Sequence, residues 1–325
     1  MTTLDREHSP ATPIGVEVVG ASSTSRFLCE RLSLRSDLRF VAASGVEDSG
    51  SPLPPGSTAL GVIEAPDVRV IHFAAGSSSQ TMLAALAGSK SIIVEAPHML
   101  TSDELEELAK TADRYGQFAA IYEPRRWDRD FLQARCALES GRLGKLLRLR
   151  YSVHDSCLPG ELFPLGIAKE LGSHVLDQML QLVGPNALNV QDGSALFVWR
   201  HFPSARDRSA GFTASFEFSE DVSAIIEIQT RSLLGTRSGW MLEGTAGAYR
   251  NGNLFTRTVD GEIVDEPLPA PTVSSDPFLD ALSDKLRGNS ADLPTVRDAI
   301  RVAALLCDIP TETHLPHCLA LPANN

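Results

Sequence analysis

Residues 14–34 read IGVEVVGASSTSRFLCERLSL, and this stretch decides the fold. Ile14–Val19 is apolar except for Gly15 and Glu17 and carries three valines, the composition of a strand buried on both faces. Gly20 then opens the turn Gly20-Ala21-Ser22-Ser23-Thr24-Ser25, and Arg26–Leu34 follows with helical spacing. Strand, glycine turn and helix in that order are the first half of a βαβ unit.

Working outward, the alternation repeats. Phe40–Ala43, Val68–Ala74, Ser91–Glu95 and Gln117–Tyr122 are expected as further strands, with helices at Gln80–Ala87 and Ser102–Tyr115. Thr101 or Ser102 ahead of Glu104 and Glu106 caps the last helix. The arrangement is a doubly wound parallel sheet, whose ligand crevice lies beyond the carboxyl ends of its strands. After the second strand, Gly45–Gly56 contains Pro52, Pro54 and Pro55, which forbids a crossover helix and makes that wall a loop.

Past Arg125 the pattern changes. A helix at Asp128–Ser140 leads into Leu146–His154 and a helix at Ile167–Val183. Strands are then expected at Leu196–His201, Phe212–Phe218, Ser223–Gln229, Trp240–Glu243 and Leu254–Thr258. Strands in succession, with turns such as Asn251-Gly252-Asn253, imply a large, mostly antiparallel open sheet. Helices at Pro277–Leu286 and Val296–Cys307 close the chain. The expected division is 1–125 and 126–325, an α/β domain followed by an α+β domain.

Composition narrows the function classes. The chain has 325 residues, 43% hydrophobic and 22% charged, more than one hydrophobic core usually organises. A net charge of −12 repels phosphate backbones, and the cluster Arg142, Lys145, Arg148 and Arg150 reads as a solvated edge, so no nucleic-acid partner is expected. No apolar run approaches the roughly 20 residues that span a bilayer, and residues 1–13 lack the apolar core of a secretory signal. The five cysteines, Cys29, Cys136, Cys157, Cys307 and Cys318, are scattered without a C-x-x-C pair, which fits reduced thiols in a cytoplasm and no metal centre.

Four segments in order resemble the glucose–fructose oxidoreductase / inositol dehydrogenase (Gfo/Idh/MocA) family. They are the turn from Gly20, Glu95-Ala96-Pro97 where the family has Glu-Lys-Pro, Arg125-Arg126-Trp127-Asp128 with the later Ser140-Gly141-Arg142-Leu143-Gly144, and Glu170-Leu171-Gly172-Ser173-His174-Val175-Leu176-Asp177. The resemblance implies a Rossmann-type first domain that binds NAD or NADP through Gly20, Ser22, Ser23, Thr24, Glu95 and Pro97. It implies a small sugar-like substrate bound through Arg125, Arg126 and His98, with His174, Asp177 and Glu170 of the second domain as catalytic residues. A homo-oligomer, dimer or tetramer, and a cis Ala96–Pro97 bond are implied as well.

Departures from the family pattern bear on chemistry. Ser22 stands where a second glycine lets the pyrophosphate approach the backbone, although its hydroxyl is small and can donate to phosphate. Ser44-Gly45-Val46 ends the second strand where an acidic residue would bind ribose, leaving Glu47 or Asp48 to reach back. Ala96 replaces the family's lysine, with His98 as the one local substitute. Glu170, His174 and Asp177, spaced i, i+4, i+7, share one helix face, where a carboxylate fixes an imidazole tautomer for acid/base work, or a polar stripe anchors the helix to a loop. Two functions are therefore expected as alternatives. One is a divergent NAD(P)-dependent oxidoreductase acting on a sugar, cyclitol or related polyhydroxylated compound. The other is a catalytically silent relative that binds a ligand or protein through the same cleft.

Overall fold

A computed structural model describes residues 12–20, 22–44, 67–96, 100–154, 164–184, 195–201, 210–218, 221–229 and 239–307. The opening stretch folds as read: β1 is Ile14–Val19 and α1 is Ser23–Ser33. β2 (Leu38–Ser44), β3 (Val68–Phe73), α2 (Ser79–Ala87), β4 (Ser91–Glu95), α3 (Ser102–Arg114) and β5 (Ala119–Tyr122) follow. The strands form one sheet in the order β2-β1-β3-β4-β5, and every pairing is parallel. β4 is buried along its whole length, as strands covered on both faces must be. Thr101 and Glu104 make the expected reciprocal capping box at the start of α3. The proline-rich loop lies outside the described residues.

A second sheet is built from later sequence. After a 3₁₀ turn at Pro124–Trp127 come α4 (Arg129–Glu139), β6 (Leu146–His154) and α5 (Pro164–Val183). β7 (Ala195–His201), β8 (Ala210–Phe218), β9 (Val222–Gln229), β10 (Gly239–Gly244), β11 (Gly247–Arg250), β12 (Asn253–Arg257) and β13 (Ile263–Pro267) complete it. The order is β13-β12-β11-β10-β6-β9-β8-β7, antiparallel throughout except for β6 against β9. Phe131, Leu132, Met179 and Leu180 from α4 and α5 pack with Ile226, Ile228, Trp240 and Leu242 from the strands. Asn251 and Gly252 both take positive φ, which the tight β11–β12 hairpin requires.

The chain divides into two units, Met1–Glu123 with Ser274–Ile300 and Pro124–Val273 with Arg301–Asn325. The first unit is thus assembled from two distant stretches. Its later piece carries α6 (Pro277–Leu286) and the first half of α7 (Val296–Cys307). Phe278 is buried edge-on against Tyr122 with ring centroids 4.7 Å apart. Arg31 grips Asp276 with two hydrogen bonds, Arg35 reaches Asp280 at 2.7 Å, and Ile121 N donates to Pro294 O at 2.9 Å.

His72, in the middle of β3, is fully buried, and among the described residues neither ring nitrogen has a hydrogen-bond partner. Its ring meets Tyr122 edge to face at 5.8 Å. Burial pushes the imidazole down from 6.5 to about 3. The folded state therefore refuses a proton that the unfolded chain accepts, so this contribution is whole above about pH 6.5 and is lost as pH falls toward about 3. Between pH 7 and pH 5 the loss is about 2 kcal/mol. In His72→Leu the slope disappears while any packing cost stays constant with pH. Urea unfolding at both pH values is expected to show the variant gaining on the parent by that amount; parallel pH dependence would sink the assignment.

Candidate functional site

In the first unit, the turn after β1 is shaped by Gly20, whose φ is +95°. A Cβ added there would lie 2.7 Å from the Cβ of Ala74, so only glycine fits. Ser22 is the N-cap of α1: its Oγ accepts from Ser25 N at 2.8 Å. The same hydroxyl donates to Glu95 Oε2 at 2.7 Å. The hydroxyl that the sequence offers to a phosphate is thus engaged with the protein's own carboxylate. Glu95, 5% exposed at the carboxyl end of β4, also lies 3.4 Å from Ala75 N.

Whether these residues suit a dinucleotide can be judged from the donors left over. Among the described residues no acceptor takes the backbone N–H groups of Ser23 and Thr24. Two free amides at the positive end of α1 are the donor set that a pyrophosphate needs. The set fits, although Glu95 places a carboxylate beside it. Ala96 forms a half-buried bend after β4 and supplies only a methyl group. Pro97, His98 and residues 45–66, with Glu47 and Asp48, lie outside the described residues, as does the expected cis bond.

In the second unit, the two arginines of the 3₁₀ turn part company. Arg126 makes a bidentate ion pair with Asp177, Nε and Nη2 each 2.7 Å from a carboxylate oxygen, the side chains 5% and 8% exposed. Two residues that the sequence assigns to separate roles, substrate binding and catalysis, are each other's partners. Arg125 is half-buried, and its carbonyl accepts from Gln178 Nε2 at 2.5 Å. Gln178 Oε1 in turn accepts from Trp240 Nε1 at 2.9 Å, and Trp240 N donates to Asp130 Oδ2 at 2.8 Å. Burial pushes the Asp130 carboxyl up to about 6.

α5 presents these groups in a definite way. Ser173, Val175, Leu176, Asp177 and Gln178 are buried, whereas His174 is half-buried. His174 is thus the titratable side chain on this described stretch that keeps partial exposure. The side chain of Glu170 lies outside the described residues. Sequence reasoning missed Gln178, Trp240 and Asp130. Asp130 sits next to the quoted Arg-Arg-Trp-Asp turn, and Gln178 is one helical turn beyond His174, a spacing that could have flagged it. No group of three or more His, Cys, Asp or Glu side chains placed to hold a metal occurs among the described residues. None of their helices is long and apolar enough to cross a membrane.

Comparison with known proteins follows the same line. No family model matches the chain. It is 36% identical over 118 residues to an uncharacterized oxidoreductase of Schizosaccharomyces pombe, covering 33% of this chain and 31% of that protein. It is 30% identical over 122 residues to the scyllo-inositol 2-dehydrogenase (NADP(+)) IolW of Bacillus subtilis, 35% of this chain and 34% of that one. It is 29% identical over 154 residues to the rhizopine catabolism protein MocA of Rhizobium meliloti, 46% and 49% respectively. The match thus spans about a third of the length of the first two relatives. An NAD-binding protein from Listeria innocua superposes with a TM-score of 0.72 at 20% identity, covering 90% of this chain and 92% of that one. An oxidoreductase from Bacillus cereus gives 0.73 at 17% identity, covering 90% and 94%. The chain has the fold of these oxidoreductases, and the motif resemblance to Gfo/Idh/MocA is matched by the names of its sequence relatives.

Proposed function

We propose that this chain is a divergent Gfo/Idh/MocA-type oxidoreductase that uses NAD or NADP on a sugar, cyclitol or related polyhydroxylated compound. The observation that carries the reading is His174, accessible on a helix whose neighbouring side chains are locked. A single imidazole held in that way can take or return the proton of a carbinol. Asp177 then acts as a positioning residue, because its carboxylate is spent on Arg126. The nicotinamide cofactor supplies the hydride chemistry. Gly20 shapes its turn, the amides of Ser23 and Thr24 meet its phosphates, and Ser22 holds Glu95 against the start of α1. Pro97, Glu170 and His98 remain part of the proposal as cofactor, catalytic and substrate residues. The relatives named for scyllo-inositol and rhizopine support this substrate class.

A second reading, a silent relative that only binds, is favoured by one observation: Ala96 stands where the resemblance puts lysine. Titration of the full chain with NAD(H) and NADP(H), followed by turnover of a polyol panel, separates the two. Roughly micromolar affinity with turnover is expected. No binding at roughly millimolar cofactor would remove the oxidoreductase reading. A homo-oligomer in the cytoplasm completes the proposal. The face of the second sheet that carries Arg148, Arg150 and Glu227 also exposes Ile225 by 38%, which suits a partner copy, and Cys29 and Cys136 are free thiols.

A further inference from the structure

Gln178 is 4% exposed, and both ends of its side-chain amide are bonded: Nε2 donates to Arg125 O at 2.5 Å and Oε1 accepts from Trp240 Nε1 at 2.9 Å. Burying an amide costs free energy unless its polar atoms find such partners. The two ends meet very different supports. Trp240 is 1% exposed, its ring packs on Tyr151 with centroids 5.0 Å apart, and its backbone N–H donates to Asp130 Oδ2 at 2.8 Å. That side is held from α4 and β6 without help from Gln178. Arg125 O belongs to a four-residue 3₁₀ turn, whose hydrogen-bond geometry is weaker than that of an α-helix, and its other donor is Asp128 N at 3.1 Å, just past the same turn. Gln178 therefore transmits the fixed position of Trp240 to a turn that cannot fix itself.

The neighbour of Gln178 on α5, Asp177, takes the side chain of Arg126. Consecutive residues of α5 thus hold consecutive residues of the turn, one by its side chain and the other by its backbone. His174 lies one helical turn earlier on the same helix. We propose that Gln178 is a positioning residue of the reaction: its N–H holds the Arg125 carbonyl, so that the Arg125 side chain starts from a fixed point relative to His174. This rests on the oxidoreductase reading, in which Arg125 binds the substrate and His174 carries the proton. A turn fixed beforehand need not be ordered when substrate arrives, so loss of the bond acts on KM first.

Three variants of the full chain separate the two ends of the amide. Gln178→Met removes both, Trp240→Phe removes the indole donor alone, and Gln178→Glu keeps an acceptor for Trp240 but donates to the Arg125 carbonyl only while protonated. Turnover of scyllo-inositol with NAD and NADP is measured beside hydrogen exchange of the Asp128 amide in the absence of substrate. Gln178→Met is expected to raise KM at least about tenfold, with cofactor affinity unchanged and faster exchange at Asp128. Trp240→Phe is expected to stay within about threefold of the parent in both readouts. In Gln178→Glu the excess of KM over the parent should grow as pH rises through roughly 5–8, the range in which a buried carboxylic acid gives up its proton. A merely structural amide would lower the melting temperature and leave this pH dependence out. Parent-like KM or parent-like Asp128 exchange in Gln178→Met, an equal effect of Trp240→Phe, or a Gln178→Glu effect that ignores pH would each overturn the proposal. Absence of turnover by the parent would instead count against the oxidoreductase reading, while exchange at Asp128 still reads whether Gln178 holds the turn.

Discussion

Arg126→Ala is expected to cost the second unit about 3–5 kcal/mol of unfolding free energy, the range for removing one partner of a buried ion pair. Both side chains are nearly sealed from water, and two parallel bonds of 2.7 Å join them. Truncation removes the cation that faces the Asp177 carboxylate in a site nearly sealed from water, and that loss of counter-charge, more than the number of bonds, sets the cost. Replacing both residues, Arg126→Met with Asp177→Leu, removes both charges and is expected to recover most of the loss. Urea unfolding of parent, single and double variants, followed by tryptophan fluorescence, reads the effect. A cost under about 1 kcal/mol for Arg126→Ala would mean that the pair behaves as an exposed one and clamps nothing.

His174→Ala is expected to lower kcat/KM by about 10²–10⁴-fold on whichever compound the chain turns over, the range for a positioned acid or base. The reasoning is by access. Asp177 bonds Arg126, and Gln178 bonds Trp240 and the Arg125 carbonyl, which leaves the half-buried imidazole as the proposed proton carrier on this stretch of α5. His174→Gln keeps size and hydrogen bonding but cannot titrate, and it should lose kcat with KM little changed. Activity within about threefold of the parent in both variants would show that the proton travels by another route.

Much of the fold was legible because two periodicities differ. The buried runs of β1, β3 and β4 and the alternating Val222–Gln229 announced a parallel and an antiparallel sheet. β11 and β13 escaped for local reasons: Gly247–Arg250 is four residues with glycine and alanine, and Ile263–Pro267 is exposed throughout, so no alternation marks it. That α6 belongs with the first unit was not legible either, since an amphipathic helix does not say which sheet it covers. At the site, the motif spacing brought out Gly20, Arg126 and Asp177 but not their pairing. A bidentate bridge across 51 positions leaves no periodic trace. Nor did any local pattern suggest that Ser22 and Glu95, 73 positions apart, would satisfy each other.

The discontinuity of the first unit has a consequence for synthesis. A ribosome delivers β1 to β5 long before α6 exists, so Tyr122 waits for Phe278, and Arg31 for an aspartate 245 residues downstream. Until then the nascent sheet carries an uncovered apolar strip, the kind of surface that chaperones hold and that aggregation exploits. Emergence of residues 274–300, at roughly 5–20 residues per second, therefore sets the earliest moment at which this unit can close. A ribosome stalled near residue 270 would leave it permanently ajar, with the turn around Gly20 made but the fold that steadies it unfinished.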